Sequence, residues 1–248
     1  MPVLDQLAEL KRIAIVPALN EEGTVGRVID EIRAFDAGFD IVVVDDGSTD
    51  RTAGIAADRG AHVLRLPFNL GIGGAMQTGY RFAFEHAYDI AVQVDGDGQH
   101  DPSQLPAILA PVLSGEADLC VGSRFTGPGA YRSSFARRIG IQIFAHVVSA
   151  IVRQKVTDTT SGFRAVNRKG IALFAADYPH DYPEVEATVM CVKHKLRLTE
   201  VPVSMRERGG GASSITAFRS IYYMTKVLLA IFVGLFRRYA VPFEEEHR

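Results

Sequence analysis

"DIVVVDDGSTD", residues 40–50, decides the fold: the apolar run Ile41 to Val44 stops at two acids and a glycine. A continuous apolar run of that kind reads as a strand buried on both faces, and a helical pattern, "TAGIAADRG", follows it. Working outward, the same grammar recurs. "RIAIVPAL" (12–19) is a strand with "EEGTVGRVIDEIRAF" helical behind it, "AHVLRLP" a third strand, "GGAMQTGYRFAFEHA" a helix and "DIAVQVDGD" a fourth strand. Alternating strands and helices predict an α/β chain, a mainly parallel sheet flanked by helices. In such sheets ligands gather at the carboxyl ends of the strands. Asn20 and Glu21 follow the first strand, Asp45 and Asp46 the second, and Asp95 and Asp97 the fourth. All three polar clusters are therefore expected on one edge.

The 248 residues, 47% of them hydrophobic, are enough for a large single core and exclude a disordered chain. Cys120 and Cys191 sit in apolar surroundings without metal or redox spacing, which predicts buried free thiols in a reducing compartment. The start, "MPVLDQLAELKR", has acids where a signal peptide would be basic, and no stretch reaches the roughly 18 apolar residues of a membrane span. Charge is divided unevenly. Residues 1–121 hold 8 Lys+Arg and 19 Asp+Glu, residues 122–248 hold 19 and 10, so an acidic donor- or metal-binding half joins a half suited to an anion.

"VQVDGDGQHDP" (92–102) sets two like charges one residue apart, which calls for a positive partner. A calcium EF-hand loop would need Gly and Glu where this chain has His100 and Pro106. A dinucleotide fingerprint in "GIGGAMQTG" (71–79) would need glycine at Met76, and no P-loop pattern occurs. Asp-x-Asp on a glycine-containing loop, with Gln99 beside it, suits Mg²⁺ or Mn²⁺ shared with substrate phosphates. The buried strand before it favours that reading over a solvated Asp-Gly turn.

The ordered set "PALNEE", "VVVDDGSTDRT", "NLGIGGAMQTGY", "QVDGDGQHDP", "VGSRF" and "DTTSGFRAVNR" resembles the family 2 glycosyltransferases of GT-A fold. The likeness runs from residue 12 to about 214, and the branch it is most similar to is that of the dolichol- and polyprenyl-phosphate glycosyltransferases. It implies a nucleotide held by Pro17, Ala18, Asn20 and Glu21, with Asp46 accepting from base or ribose and Asp45 helping to position them. Ser48, Thr49 and Asp50 are expected to cap the following helix instead. Asp95, Asp97 and Gln99 match the family's metal and diphosphate loop, and Arg124 its phosphate-contacting arginine. In "VSMRERGGGASS", Arg208, Gly211 and Ser213 match an RxxGxSK motif in which Ser214 replaces the lysine. Asp97, Arg124, Arg137 and Arg208 are the expected catalytic residues, with Arg137 and then Arg138 on the acceptor phosphate.

The chemistry follows from charge. Displacing a nucleoside diphosphate builds negative charge on the leaving group, which a divalent metal and arginines stabilise. A phosphate monoester, with a second pKa near ~6, needs no base, only a cationic cradle. The segment 124–155 supplies Arg124, Arg132, Arg137, Arg138, Arg153 and Lys155 with no acid until Asp158. Glu184 and Glu186 in "YPEVE" are candidate bases for a hydroxyl acceptor, though a solvated loop is the expected setting.

The tail, "ITAFRSIYYMTKVLLAIFVGLFRRYA" (215–240), puts Arg219, Lys226 and Arg237 on one stripe of an otherwise apolar helix. A catalytic domain over 1–214 is thus expected to carry, over 215–248, a helix lying in an anionic membrane interface or docking a small membrane protein, with a homo-oligomer as the other expected assembly. Packing on its own domain is the alternative. The reading is an inverting, Mg²⁺- or Mn²⁺-dependent transfer from a nucleotide-sugar to polyprenyl phosphate, peripheral on the cytoplasmic membrane face, with no nucleic acid involved. Its rivals are a saccharide-hydroxyl transferase and a silent nucleotide-sugar-binding partner of a membrane complex.

Overall fold

Because successive strand residues point to opposite faces, an apolar run such as "IAIV" must be covered twice. The computed structural model, which describes residues 7, 9–125, 145–151, 153–180, 182–206, 226 and 229, bears this out. Strand β1 (Arg12–Ala18) sends Ile13 and Ile15 into one core and Ala14 and Val16 into the other. Strand β2 (Asp40–Asp45) divides in the same way, Val42 and Val44 opposite Ile41 and Val43. Each fully buried Val or Ile among them contributes about 1.5–3 kcal/mol of transfer free energy.

Strands β3 (His62–Arg65), β4 (Ile90–Gln93), β5 (Leu119–Ser123), β6 (Arg164–Asn167) and β7 (Leu198–Pro202) complete a sheet of order β3-β2-β1-β4-β6-β5-β7. Helices α1 (Val25–Phe35), α2 (Thr52–Asp58) and α4 (Leu105–Leu113) cover one face, and α3 (Gly71–Glu85), α5 (Arg168–Ala176) and α6 (Pro183–Lys193) the other. Helix α1 buries Val25, Val28, Ile29 and Ile32 at helical spacing. It ends at Asp36, whose carboxylate receives Arg12 Nε at 2.6 Å and Nη2 at 3.0 Å. Helix α5 starts at Asn167, whose side chain accepts from the N–H of Lys169 and Gly170. The glycines of "GIGGAMQTG" serve packing: a Cβ on Gly79 would come within 2.3 Å of Ile15 Cγ2.

The sheet is parallel except at β6, which runs antiparallel to both β4 and β5. Having left β5 at the carboxyl edge, the chain re-enters the sheet at that same edge. The beginning of β6 therefore lies where its neighbours end, a placement the strand-helix alternation did not foretell. Cys120 and Cys191 are buried and unbridged, as expected, and burial pushes both thiols up to about 12. No described helix is long and apolar enough to cross a membrane. Of the tail only Lys226 and Leu229 are described, both helical and exposed, so the 214/215 boundary and the other two residues of the basic stripe, Arg219 and Arg237, lie outside the described residues.

Candidate active site

Three strand ends meet at one edge, joined by main-chain bonds. Asp46 N–H donates to Ala18 O at 2.9 Å, and Gly96 N–H to Pro17 O at 3.1 Å, so β1 holds the loops after both β2 and β4. Pro17 and Ala18 are buried in this seam, while Asn20, in the left-handed region (φ 55°), is exposed beyond it. Its N–H donates to Ser48 Oγ (2.9 Å) and its Oδ1 accepts the Thr49 N–H (2.9 Å). The Glu21 N–H reaches Thr52 Oγ1 at 2.8 Å.

Asp45 and Asp46 are both buried. Asp45 accepts from Ser48 N–H at 3.1 Å and Arg65 Nε at 3.2 Å. Asp46 accepts from Leu70 N–H at 2.7 Å and Gly71 N–H at 2.9 Å, anchoring the start of α3. Of the expected caps only Asp50 bonds an N–H of α2, that of Thr52 at 2.9 Å. Ser48 and Thr49 are instead engaged with Asn20, because the two loops lie side by side.

On the acidic loop, half-buried Asp95, Asp97 and Gln99 alternate with buried Gly96, Gly98 and His100, so all three candidate ligands lean toward the open edge. Gln93 Nε2 donates to Asp95 Oδ1 at 3.1 Å. The Gln99 N–H donates to Asp97 Oδ1 at 3.0 Å and its side-chain amide to Oδ2, which leaves the Gln99 carbonyl oxygen as the atom suited to a cation. His100, noted in the sequence only as an EF-hand mismatch, accepts the Asp95 N–H at Nδ1 (3.0 Å), faces Asp95 Oδ2 with Nε2 (3.6 Å), and packs on Phe163. Gly162 closes the floor: a Cβ there would stand 2.8 Å from Gln93 Nε2 and 3.4 Å from Asp95 Oδ2.

Arg124 follows β5 and forks onto buried Asp158, Nε to Oδ2 and Nη2 to Oδ1 both at 2.8 Å, with a further bond to Thr160. Burial alone would raise the Asp158 pKa, but the Arg124 hydrogen bonds and charge hold it below its ordinary value. Arg164, fully buried on β6, is the cross-strand partner of Gln93 and donates to Ser161 O (2.8 Å) and Glu184 O (2.6 Å). Glu184 and Glu186 do not lie in a solvated loop. They occupy the first turn of α6 and are half-buried. Burial raises the Glu184 pKa, Arg164 opposes that, and the Asp95 charge adds to it, so this carboxyl feels the acidic loop. Arg137, Arg138, Arg208 and Ser213, with Arg132, Gly211 and Ser214, lie outside the described residues.

Residues 13–173 match the profile of "Glycosyl transferase family 2". The chain belongs to that family. Its relatives include the undecaprenyl-phosphate mannosyltransferase of Micrococcus luteus, 32% identical over 216 residues that cover 84% of this chain and 88% of that protein. The polyprenol monophosphomannose synthase of Mycolicibacterium smegmatis is 29% identical over 228 residues, covering 88% and 85%. Among solved structures, glucosyl-3-phosphoglycerate synthase from Mycobacterium tuberculosis, in complex with Mn²⁺, uridine diphosphate and glucosyl-3-phosphoglycerate, superposes with a TM-score of 0.69. It is 23% identical, and the match covers 98% of this chain and 84% of that one. This family 2 chain is a glycosyltransferase enzyme of GT-A fold.

Proposed function

We propose that this glycosyltransferase moves a sugar from a nucleotide-sugar to polyprenyl phosphate, with inversion and with Mg²⁺ or Mn²⁺, at the cytoplasmic membrane face. The observation that carries the reading is the meeting, on one sheet edge, of the β1 and β2 loops, the alternating Asp95-Asp97-Gln99 face and the Arg124-Asp158 fork. The named activities of two relatives that align along most of this chain support the acceptor class.

The donor set fits a hard divalent ion. Asp95 is about one-third exposed (34%), and among the described residues no cluster of three or more His, Cys, Asp or Glu side chains surrounds it. A site of two carboxylates and an amide carbonyl leaves coordination positions for phosphates and water, the pattern Mg²⁺ favours. When bound, the ion would neutralise charge developing on the leaving diphosphate. The chain's own residues do the rest. The β1 and β2 loops hold the nucleotide, His100 and Gln93 orient Asp95, and Arg124, fixed by Asp158, contributes positive potential where phosphate oxygens gather. The acceptor phosphate, dianionic near neutrality, attacks without a base, with Arg137 and then Arg138 as its expected cradle, while Arg208 is expected on the leaving diphosphate.

A second reading rests on Glu184. A half-buried carboxyl with a raised pKa, electrostatically linked to Asp95, is the setting of a general base, and a saccharide hydroxyl would need one. Transfer assays with UDP-, GDP- and dTDP-sugars and Mn²⁺ test both, offering undecaprenyl phosphate and a free sugar as acceptors. The lipid-phosphate reading expects lipid-linked product that survives Glu184→Gln. Product only on the sugar hydroxyl, lost in Glu184→Gln, would replace it with the second.

A further inference from the structure

The acidic loop is fastened on both limbs. Its incoming limb is held by β1 through the Gly96-Pro17 bond and by His100 on the Asp95 N–H. Its outgoing limb is held by the chain that leaves β7, far away in sequence. Met205 forms an antiparallel bridge with His100, and the Arg206 N–H donates to Gln99 O at 2.9 Å. The Arg206 guanidinium then spans two carboxylates on two elements: Nη1 to Glu31 Oε2 of α1 at 2.6 Å, and Nη2 to Asp101 Oδ1 at 2.9 Å. That same Asp101 oxygen accepts the Ser103 N–H (3.0 Å), which opens the 3₁₀ turn Pro102–Gln104 leading into α4.

We propose that Arg206 is a positioning residue for the divalent-metal loop. Its fork pins Asp101 to α1, and its main-chain N–H pins Gln99, whose own amides hold both oxygens of Asp97. The fork fixes the strand-like segment whose main-chain bond holds Gln99, so the guanidinium acts on how Asp97 and Gln99 present themselves at the edge through Asp101 and the Arg206 backbone, without touching the ligand. Hydrogen-bonded supports behind metal ligands are worth about 10–100-fold in metal affinity. A lysine keeps the charge but not the planar fork with its two separate nitrogens, so it meets Glu31 and Asp101 together less well. The inference rests on the metal reading of Asp95 and Asp97.

The test is Mn²⁺ binding, read from the paramagnetic resonance signal of free Mn²⁺ titrated into protein with UDP, and separately with GDP. Arg206→Gln is expected to weaken Mn²⁺ by about ten-fold or more, with Arg206→Lys between it and the wild type. Nucleotide affinity without metal should stay within about two-fold. Arg197→Gln serves as the structural comparison, since Arg197 forks in the same way onto Asp118 beside the amino end of β5. Both variants lower the melting temperature, but only the Arg206 variants should move Mn²⁺ affinity. Unchanged Mn²⁺ affinity in folded Arg206→Gln, or in Arg206→Lys should the former not fold, would overturn the proposal. So would an equal loss in Arg197→Gln. A wild type that transfers sugar in EDTA and binds no Mn²⁺ overturns the metal reading itself.

Discussion

Asp45-Asp46 and Asp95-Asp97 look alike in the sequence, each an acidic pair where a buried strand gives way to a loop. The structure gives them opposite surroundings. The first pair is buried and its oxygens accept from Ser48, Arg65, Leu70 and Gly71. The second is half-buried, and it alternates with buried residues so that its carboxylates line an open edge. Acids buried among backbone donors build loops, whereas half-buried Asp95 and Asp97, although they accept from Gln93 and Gln99, keep a side toward the edge where a ligand can reach them. Asp158, buried under Arg124, belongs with the builders.

The largest effect tests the open pair. Asp97→Ala should cut transfer by about 100–1000-fold, the scale of one lost electrostatic contribution to the leaving group. Its thermal unfolding should stay within about 0.5 kcal/mol of the wild type. Equal losses of activity and stability in that variant would break the distinction.

Asp158→Asn tests the builders, and removing one partner of a buried pair costs about 3 kcal/mol, measured by urea unfolding at neutral pH. That gap should narrow in acid. Asp158 has a folded pKa below its unfolded value of 3.8, and Asp118, where bonds from Arg197 and Asn167 outweigh burial, is lowered to about 2. The unfolded chain then binds more protons, so the stability these acids supply is complete above about pH 4 and is lost as pH falls toward 2. Glu184, with its raised pKa, works in the opposite sense. A pH-independent difference between Asp158→Asn and wild type would contradict the pairing.

Asp46→Ala strands the N–H groups of Leu70 and Gly71 and should cost about 1–3 kcal/mol. Calorimetry would sharpen the comparison by showing stability and nucleotide affinity falling together. The smallest effect is expected at the edge of the first pair. Arg65 is 66% exposed, so Arg65→Ala should change stability by less than about 0.5 kcal/mol although its partner is buried.

What was legible and what was not divides along sequence distance. Strands β1 to β4 with their helices, the two buried thiols and the convergence of three polar clusters could be read, since each rests on a local apolar run and the residues that stop it. Local sequence makes Ser48 and Thr49 look like caps, but their partner, Asn20, lies in another loop. The short stretch "YPEVE" reads as a solvated loop for Glu184 and Glu186, yet Pro183 starts helix α6 there. His100, Asp158, Gly162 and Arg164 lie inside the quoted motifs "QVDGDGQHDP" and "DTTSGFRAVNR", but their partners are distant in sequence, so the motifs alone give them no individual role.

The sequence by itself determined the layered α/β architecture and the family, because apolar periodicity and short ordered motifs are properties of neighbouring residues. Only the tertiary structure decided which acids face inward and which face the edge. It also decided that β6 runs backward, bringing Gly162 against Asp95, and that Arg206 reaches Glu31, 175 positions away. The physical reason is that a carboxylate's role depends on the donors around it. Those donors come from strands and loops that meet only when the sheet closes both of its cores.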